Sequence, residues 1–316
     1  MKKDLYLKRY LSDKRRFADL INGFAGDGQE LIKATDLVEE GSQSESTRAQ
    51  KYRDRLFRAA FGVNFMVIGI EGQEKPHYLM PVRCMTYDSM EYERQTVNRR
   101  REVKAMKGLS PEEWLSGFRK QDRLKPCVTL VLFFGEHWDG AKSLHELLDF
   151  ADIPKKLRDM VNDYHVHILE IQKISDTNVF HTDVKQVFDA VRCSGDPGKF
   201  RQLIFDDPAF RDLDIEAYNV IVHYTHAGDL FKLREKAKKG EKIDMCQAWA
   251  TMIEKERSVG LCEGKAYGIL DILAEHSSVP EDISARILSE DNLSVLTGWL
   301  KLAAKAETLE DFVKKM

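Results

Sequence analysis

The strongest constraint on this chain is a pair of short runs in which nearly every residue is apolar, Phe65-Met-Val-Ile-Gly-Ile and Cys127-Val-Thr-Leu-Val-Leu-Phe-Phe. Successive strand residues point to opposite faces, so a strand with one wet face alternates apolar and polar side chains. A run that is apolar at both parities needs cover on both faces, as a central strand between helices has. A third run, His165-Val-His-Ile-Leu-Glu-Ile, completes the set. Helical patterns interleave with these strands to about residue 190, which makes the fold α/β.

Local signals fill in the order. Phe17, Leu20, Ile21 and Phe24 share a helix face, with Ser12 or Asp13 as N-cap and the glycines at 23, 26 and 28 as its end. Leu31 to Val38 reads as a short strand and the polar stretch after it as a surface loop. Tyr52 to Phe61 and Asn64 to Ile70 read as a hairpin turning around Gly62, Val63 and Asn64. His77 to Lys107 reads as a helix, with Pro81 tolerable only in the first turn. No strand is expected beyond Cys193. Helical patterns cover Ile215–Tyr224, Gln247–Glu256 and Lys265–Glu275, then a tail of Val279–Leu288, Leu293–Ala304 and Thr308–Val313.

The 316 residues are 43% apolar and 32% charged, enough for two cores at the usual domain size. The division expected is an α/β domain over residues 1–192 and a helical region over 193–316. With 49 Lys or Arg against 52 Asp or Glu, the net charge of −3 excludes a wholesale polycation. The five scattered cysteines include no CxxC pair, so they indicate thiols in a reducing compartment. With no apolar leader and no long apolar run, a cytoplasmic location without membrane association is expected.

Chemistry concentrates at Asp54, Glu71 and Gln73. Glu71 and Gln73 are two apart and project to one face. A turn centred between Gly62 and Val63 sets Asp54 opposite Glu71, and a slip of one residue at each end sets it opposite Gln73. Two converging carboxylates call for a cation, and an all-oxygen set that includes the Gly72 carbonyl suits Mg²⁺ or Mn²⁺. Such an ion serves phosphodiester hydrolysis. Just downstream, Arg94, Arg99, Arg100, Arg101, Lys104 and Lys107 place a basic helix where it can track a phosphate backbone; a solvated helix face is the plainer reading of the same residues. His165 and His167 alternate on one strand face, and Glu136, His137, Trp138 and Asp139 are explained equally by catalysis or by a loop anchored on Trp138. No Walker A loop, GxGxxG, GxSxG or HExxH is present.

The ordered set Tyr52-Arg-Asp-Arg-Leu-Phe, Val67-Ile-Gly-Ile-Glu-Gly-Gln and Leu79-Met-Pro-Val-Arg-Cys-Met-Thr-Tyr resembles the recombination-promoting nuclease family, also called YhgA-like transposases, within the PD-(D/E)XK superfamily. Lys125-Pro-Cys through Gly135-Glu-His-Trp and the tail from Val279 to Phe312 extend the likeness over most of the chain. The resemblance implies a restriction-endonuclease-like mixed sheet flanked by helices and an all-helical C-terminal region. It also implies a bacterial Mg²⁺-dependent DNA endonuclease linked to recombination or mobile elements, with Asp54 and Glu71 on the metal. Gln73 stands where the superfamily usually has lysine, and an acid on the first helix, Asp19 or Asp13, would contribute. The rival reading is a catalytically weak or inactive DNA-binding or assembly protein that keeps the fold. The helical C-terminus fits a homo-oligomer contact or a cap on the nuclease core equally well.

Overall fold

The computed structural model describes residues 3–38, 56–60, 63–70, 76–225, 242–275 and 277–316. They form two compact units, Met1–Asp244 and Met245–Met316. The first is mixed α/β and the second helical.

The first unit opens with α1 (Lys3–Tyr10) and α2 (Lys14–Ala25). Asp13 caps α2 by accepting the Arg15 backbone N–H, and Gly26 closes it. Gly23, expected to help end this helix, lies inside it because Phe180 packs where its side chain would be. The expected strand Leu31–Val38 is instead an irregular segment with a 3₁₀ turn at Ala34–Asp36. Its backbone is already engaged: the Asn22 carboxamide accepts from the Leu31 and Ile32 N–H groups (3.0 and 2.9 Å) and donates to the Ile32 carbonyl (2.9 Å). The apolar residues that suggested a strand divide accordingly, Ile32 and Leu37 buried, Leu31 and Val38 exposed.

A four-stranded sheet of order β1-β2-β3-β4 follows: β1 (Leu56–Ala60), β2 (Val63–Ile70), β3 (Cys127–Phe133) and β4 (His167–Glu170). β1 and β2 are antiparallel, whereas β2, β3 and β4 run parallel. Ala60 faces Val63, so the hairpin closes one residue earlier than the sequence pattern suggests, in neither of the two registers considered. β3 is buried on both faces, as its composition requires. Val131 and Phe133 pack with Met80, Cys84 and Trp138, while Phe134, of the opposite parity, stacks on Tyr224 at 3.8 Å.

The crossover from β2 to β3 is α3 (Met80–Lys104), with Pro81 in its first turn as expected. α3 runs antiparallel to β3, and polar contacts mark successive turns. Asp88 accepts from Thr129 Oγ1 (2.5 Å), the Tyr92 hydroxyl accepts from the Cys127 N–H (3.1 Å), Gln95 accepts from the Lys125 N–H (2.8 Å), and Arg99 pairs with Asp122 (2.8 Å). α4 (Pro111–Ser116) and the single turn α5 (Lys155–Arg158) are short. α6 (Val184–Cys193), α7 (Pro197–Asp206) and α8 (Ile215–Tyr224) complete the unit, α8 with seven buried residues.

These three helices are why the compact unit reaches Asp244 rather than residue 192. Arg16 on α2 binds Asp183 in a bidentate pair (2.7 and 2.6 Å) and also reaches Asp214 (2.6 Å). The change from strands to helices along the chain therefore falls inside one core. Beyond Cys193 there is also a short ladder that the sequence reading omits, β5 (Leu213–Asp214) with β6 (Lys242–Ile243); two-residue strands carry no periodicity.

In the second unit, α9 (Met245–Ala274) is one helix where two were expected. Gly260 and Gly264 suggest a break, yet both sit in open space and the helix runs through them. Cys262, Ala266, Ile269 and Leu273 line one face and pack with Ile287, Leu296, Trp299, Ala303 and Phe312. The last five come from α10 (Glu281–Leu288), α11 (Leu293–Ala303) and α12 (Leu309–Val313). Asn292 and Thr308 cap the last two helices, and these three match the expected tail closely.

Candidate functional site

The register Ile70–Phe133–Glu170 brings the C-terminal ends of β2, β3 and β4 to one edge of the sheet. Parallel strands commonly hold their ligands at such an edge. Asp54, Glu71, Gly72 and Gln73 lie outside the described residues; in sequence, Asp54 lies two positions before the first residue of β1 and Glu71 directly follows β2.

The described part of this edge centres on Glu170, a buried carboxylate. Lys142 Nζ donates to Oε1 (2.9 Å), and Lys173 Nζ (2.6 Å) and the Trp138 backbone N–H (3.2 Å) donate to Oε2. Burial opposes its ionisation, but the two ammonium groups and the N–H outweigh burial and hold the carboxyl down to about 2. The Trp138 ring packs edge-on against Phe133 (5.2 Å) and donates to the Gly140 carbonyl (2.7 Å). Trp138 thus anchors the loop after β3 and leaves Glu136, His137 and Asp139 exposed. The sequence carries only a weak signal for Glu170, a lone acid ending an apolar strand.

The two first-helix acids have distinct surroundings. Asp13 is the α2 cap. Asp19 is buried and accepts from the backbone N–H groups of His181 (2.8 Å) and Thr182 (2.8 Å) and from Thr182 Oγ1 (2.6 Å). Asp19 ties α2 to the loop entering α6.

Of the six basic residues, two form ion pairs within the fold. Arg94 forms a bidentate pair with Glu91 (2.8 and 2.7 Å), and Arg99 binds both Asp122 (2.8 Å) and Glu102 (2.6 Å). The Arg99 guanidinium holds the Asp122 carboxyl well below the usual range. Arg100, Arg101, Lys104 and Lys107 are exposed and form no ion pair among the described residues. At about 1.5 Å per residue, Arg94 to Lys104 lie about 20–35 Å along α3 from Met80, at the end of β3 opposite to the edge described above.

A second polar cluster lies between α3 and the starts of β3 and β4. Asp88 accepts from Thr129 Oγ1 and from the Tyr164 hydroxyl (2.6 Å). A cavity of about 480 Å³ opens beside them, lined also by Tyr92, Cys127 and His167. Burial, then the Asp88 carboxylate, push the Cys127 thiol and the Tyr164 phenol up, so neither is a nucleophile at neutral pH. His165 is exposed and sits 3.5 Å from Asp163, and His167 meets Phe24 edge-on at 6.2 Å. No group of three or more His, Cys, Asp or Glu side chains suited to a metal ion occurs among the described residues, and no helix there is long and apolar enough to cross a membrane.

Compared with models of protein families, with curated proteins and with solved structures, the chain finds no match.

Proposed function

We propose that this chain is a metal-dependent DNA endonuclease of the restriction-endonuclease-like, PD-(D/E)XK kind, acting in recombination or on mobile elements. The observation that carries the reading is the order of its central elements. An antiparallel hairpin, β1–β2, is followed by a helical crossover, α3, into the parallel strand β3. In sequence, Asp54 precedes that hairpin and Glu71-Gly72-Gln73 follows it, as the resemblance requires.

The donor set fits a hard divalent cation by its chemistry: the Asp54 and Glu71 carboxylates and the Gly72 carbonyl are all oxygen, which suits Mg²⁺ or Mn²⁺ over zinc. When bound, such an ion supplies Lewis-acid polarisation of the scissile phosphate. Asp54 and Glu71 hold it. Gln73 contributes an amide N–H that orients the phosphate or the attacking water, but it neither carries charge nor transfers a proton as lysine does.

Nicking of supercoiled plasmid is the test, with wild type and Glu71→Ala, each in Mg²⁺ and in EDTA. Nicking by wild type in Mg²⁺ alone is expected. Equal activity in all four reactions sinks the reading, and salt-dependent DNA binding without nicking turns it into that of a non-catalytic DNA-binding module.

A further inference from the structure

At the far end of α3 lies a surface that the catalytic reading leaves unexplained. Gly108, at a positive φ of 75°, turns the chain from α3 into α4, and this six-residue helix displays two large apolar side chains, Trp114 (63% exposed) and Leu115 (80% exposed). Large exposed apolar groups of this kind mark interaction sites. They are held rigidly. Ser110 and Glu113 form a reciprocal capping box at one end of α4. At the other end the left-handed Gly117, where a Cβ would collide with the Arg100 stem, fastens the helix to α3. An open depression of about 620 Å³ runs between Met106, Leu109, Trp114 and Leu115.

The surrounding charge is predominantly positive. Of the four acids between residues 95 and 125, Glu102 is paired with Arg99 and Asp122 with Arg99 and Arg119, while Glu112 and Glu113 keep their charge and accept from the Ser110 hydroxyl and from the Ser110 and Lys120 backbone N–H groups. Arg100, Arg101, Lys104 and Lys107 are left exposed with no carboxylate partner among the described residues. A partner that offers negative charge together with flat apolar faces complements this surface.

We infer that this surface binds DNA whose bases are accessible, as in a single strand, a gap or a fork: Trp114 stacks on an unpaired base, with Leu115 beside it, while Arg101, Lys104 and Lys107 follow the phosphates. The inference rests on the nucleic-acid reading above and adds to it a preference for unpaired strands. An anionic membrane matches the charge less well to the shape. Stable insertion needs a broad apolar helix face, and α4 offers two side chains on six residues.

The test is run in EDTA, so that binding is read without cleavage. Fluorescence anisotropy compares one labelled oligonucleotide as a single strand and as a blunt duplex, with anionic phosphatidylglycerol vesicles as a third probe. Trp114→Ala is expected to weaken single-strand binding about 5- to 100-fold and duplex binding much less, with Trp114→Phe restoring most of the loss. Neutralising Arg101, Lys104 and Lys107 together is expected to weaken both DNAs and to reduce the single-strand salt slope by about 2. Single-strand affinity unchanged by Trp114→Ala overturns the inference, as does Trp114-dependent binding to vesicles but not to DNA. The two readings fail separately. Trp114-dependent binding by a protein that never nicks plasmid removes the nuclease and keeps this surface, and metal-dependent nicking with Trp114-independent binding does the reverse.

Discussion

Arg16→Met removes one guanidinium that holds three helices together. The Arg16 side chain is 6% exposed and bonds two carboxylates, Asp183 and Asp214, while the Tyr10 hydroxyl donates to the same Asp183 (3.0 Å). Methionine fills much of the volume, so the loss is electrostatic. Breaking a buried pair by deleting one partner costs about 3–5 kcal/mol, but Asp183 and Asp214 are 20% and 36% exposed and water recovers part of that, leaving about 2–3 kcal/mol. For a unit of this size each kcal/mol lowers Tm by about 2–4 °C, so a fall of roughly 4–12 °C is expected. Calorimetry on the full chain is the assay, since it separates a transition of the Met1–Asp244 unit from that of the Met245–Met316 unit. Only the first should move. A change under about 2 °C, or an equal shift of both transitions, would refute the view that Arg16 joins α2 to α6 and α8 within one core.

Three further outcomes are expected. Glu170 has its carboxyl held down to about 2, so it stabilises the fold fully above its unfolded pKa near 4.3 and loses that contribution as pH falls toward 2; Glu170→Gln should flatten stability against pH in that window by about 1–2 kcal/mol, and a urea midpoint series of unchanged slope would count against it. Gly23→Ala should destabilise by about 1–3 kcal/mol through collision with Phe180, whereas Gly260→Ala, in an open helix interior, should stabilise by about 0.5–1 kcal/mol; denaturant midpoints that move the same way for both would be inconsistent with the packing described. Asp88→Asn removes the largest influence after burial that keeps the Cys127 thiol protonated, so site-resolved alkylation of Cys127 should quicken at mildly alkaline pH, and an unchanged rate would exclude that coupling.

What the sequence makes legible here is what depends on local pattern. β3 declares itself because apolar residues at both parities admit only a doubly covered strand, and α10 to α12 because Pro280, Asn292 and Thr308 sit at their starts. What it hides depends on partners far along the chain. Asn22 takes the backbone groups that would have made Leu31–Val38 a strand. Arg16 meets Asp183 across 167 positions, so nothing local warns that the composition change near 192 is not an edge of the core. For the candidate site, Glu71 and Gln73 stand out by following an apolar strand, but Glu170 and Asp88 acquire meaning only once β3 lies between β4 and α3. The basic segment shows the same limit in reverse: a count of charges cannot tell Arg94 and Arg99, held by Glu91 and Asp122, from Arg101 and Lys104, which are free of carboxylates among the described residues.

The direction of α3 gives the two proposals a shared consequence. Met80 packs at the edge where β2 ends beside Phe133, and Arg100, at the Trp114 surface, follows twenty residues later on the same helix. That separation is about 30 Å, or about nine nucleotides of one strand at roughly 3.4 Å each. If hydrolysis occurs at that edge while Trp114 holds an unpaired base, the broken bond lies near the far side of one helical turn from the junction rather than at it. Mapping the nick on an end-labelled DNA with a single gap tests this directly: cleavage offset by about six to ten nucleotides into the flanking duplex is expected, and cleavage at the gap itself, or scattered without reference to it, would mean that the edge and the Trp114 surface do not engage the same DNA.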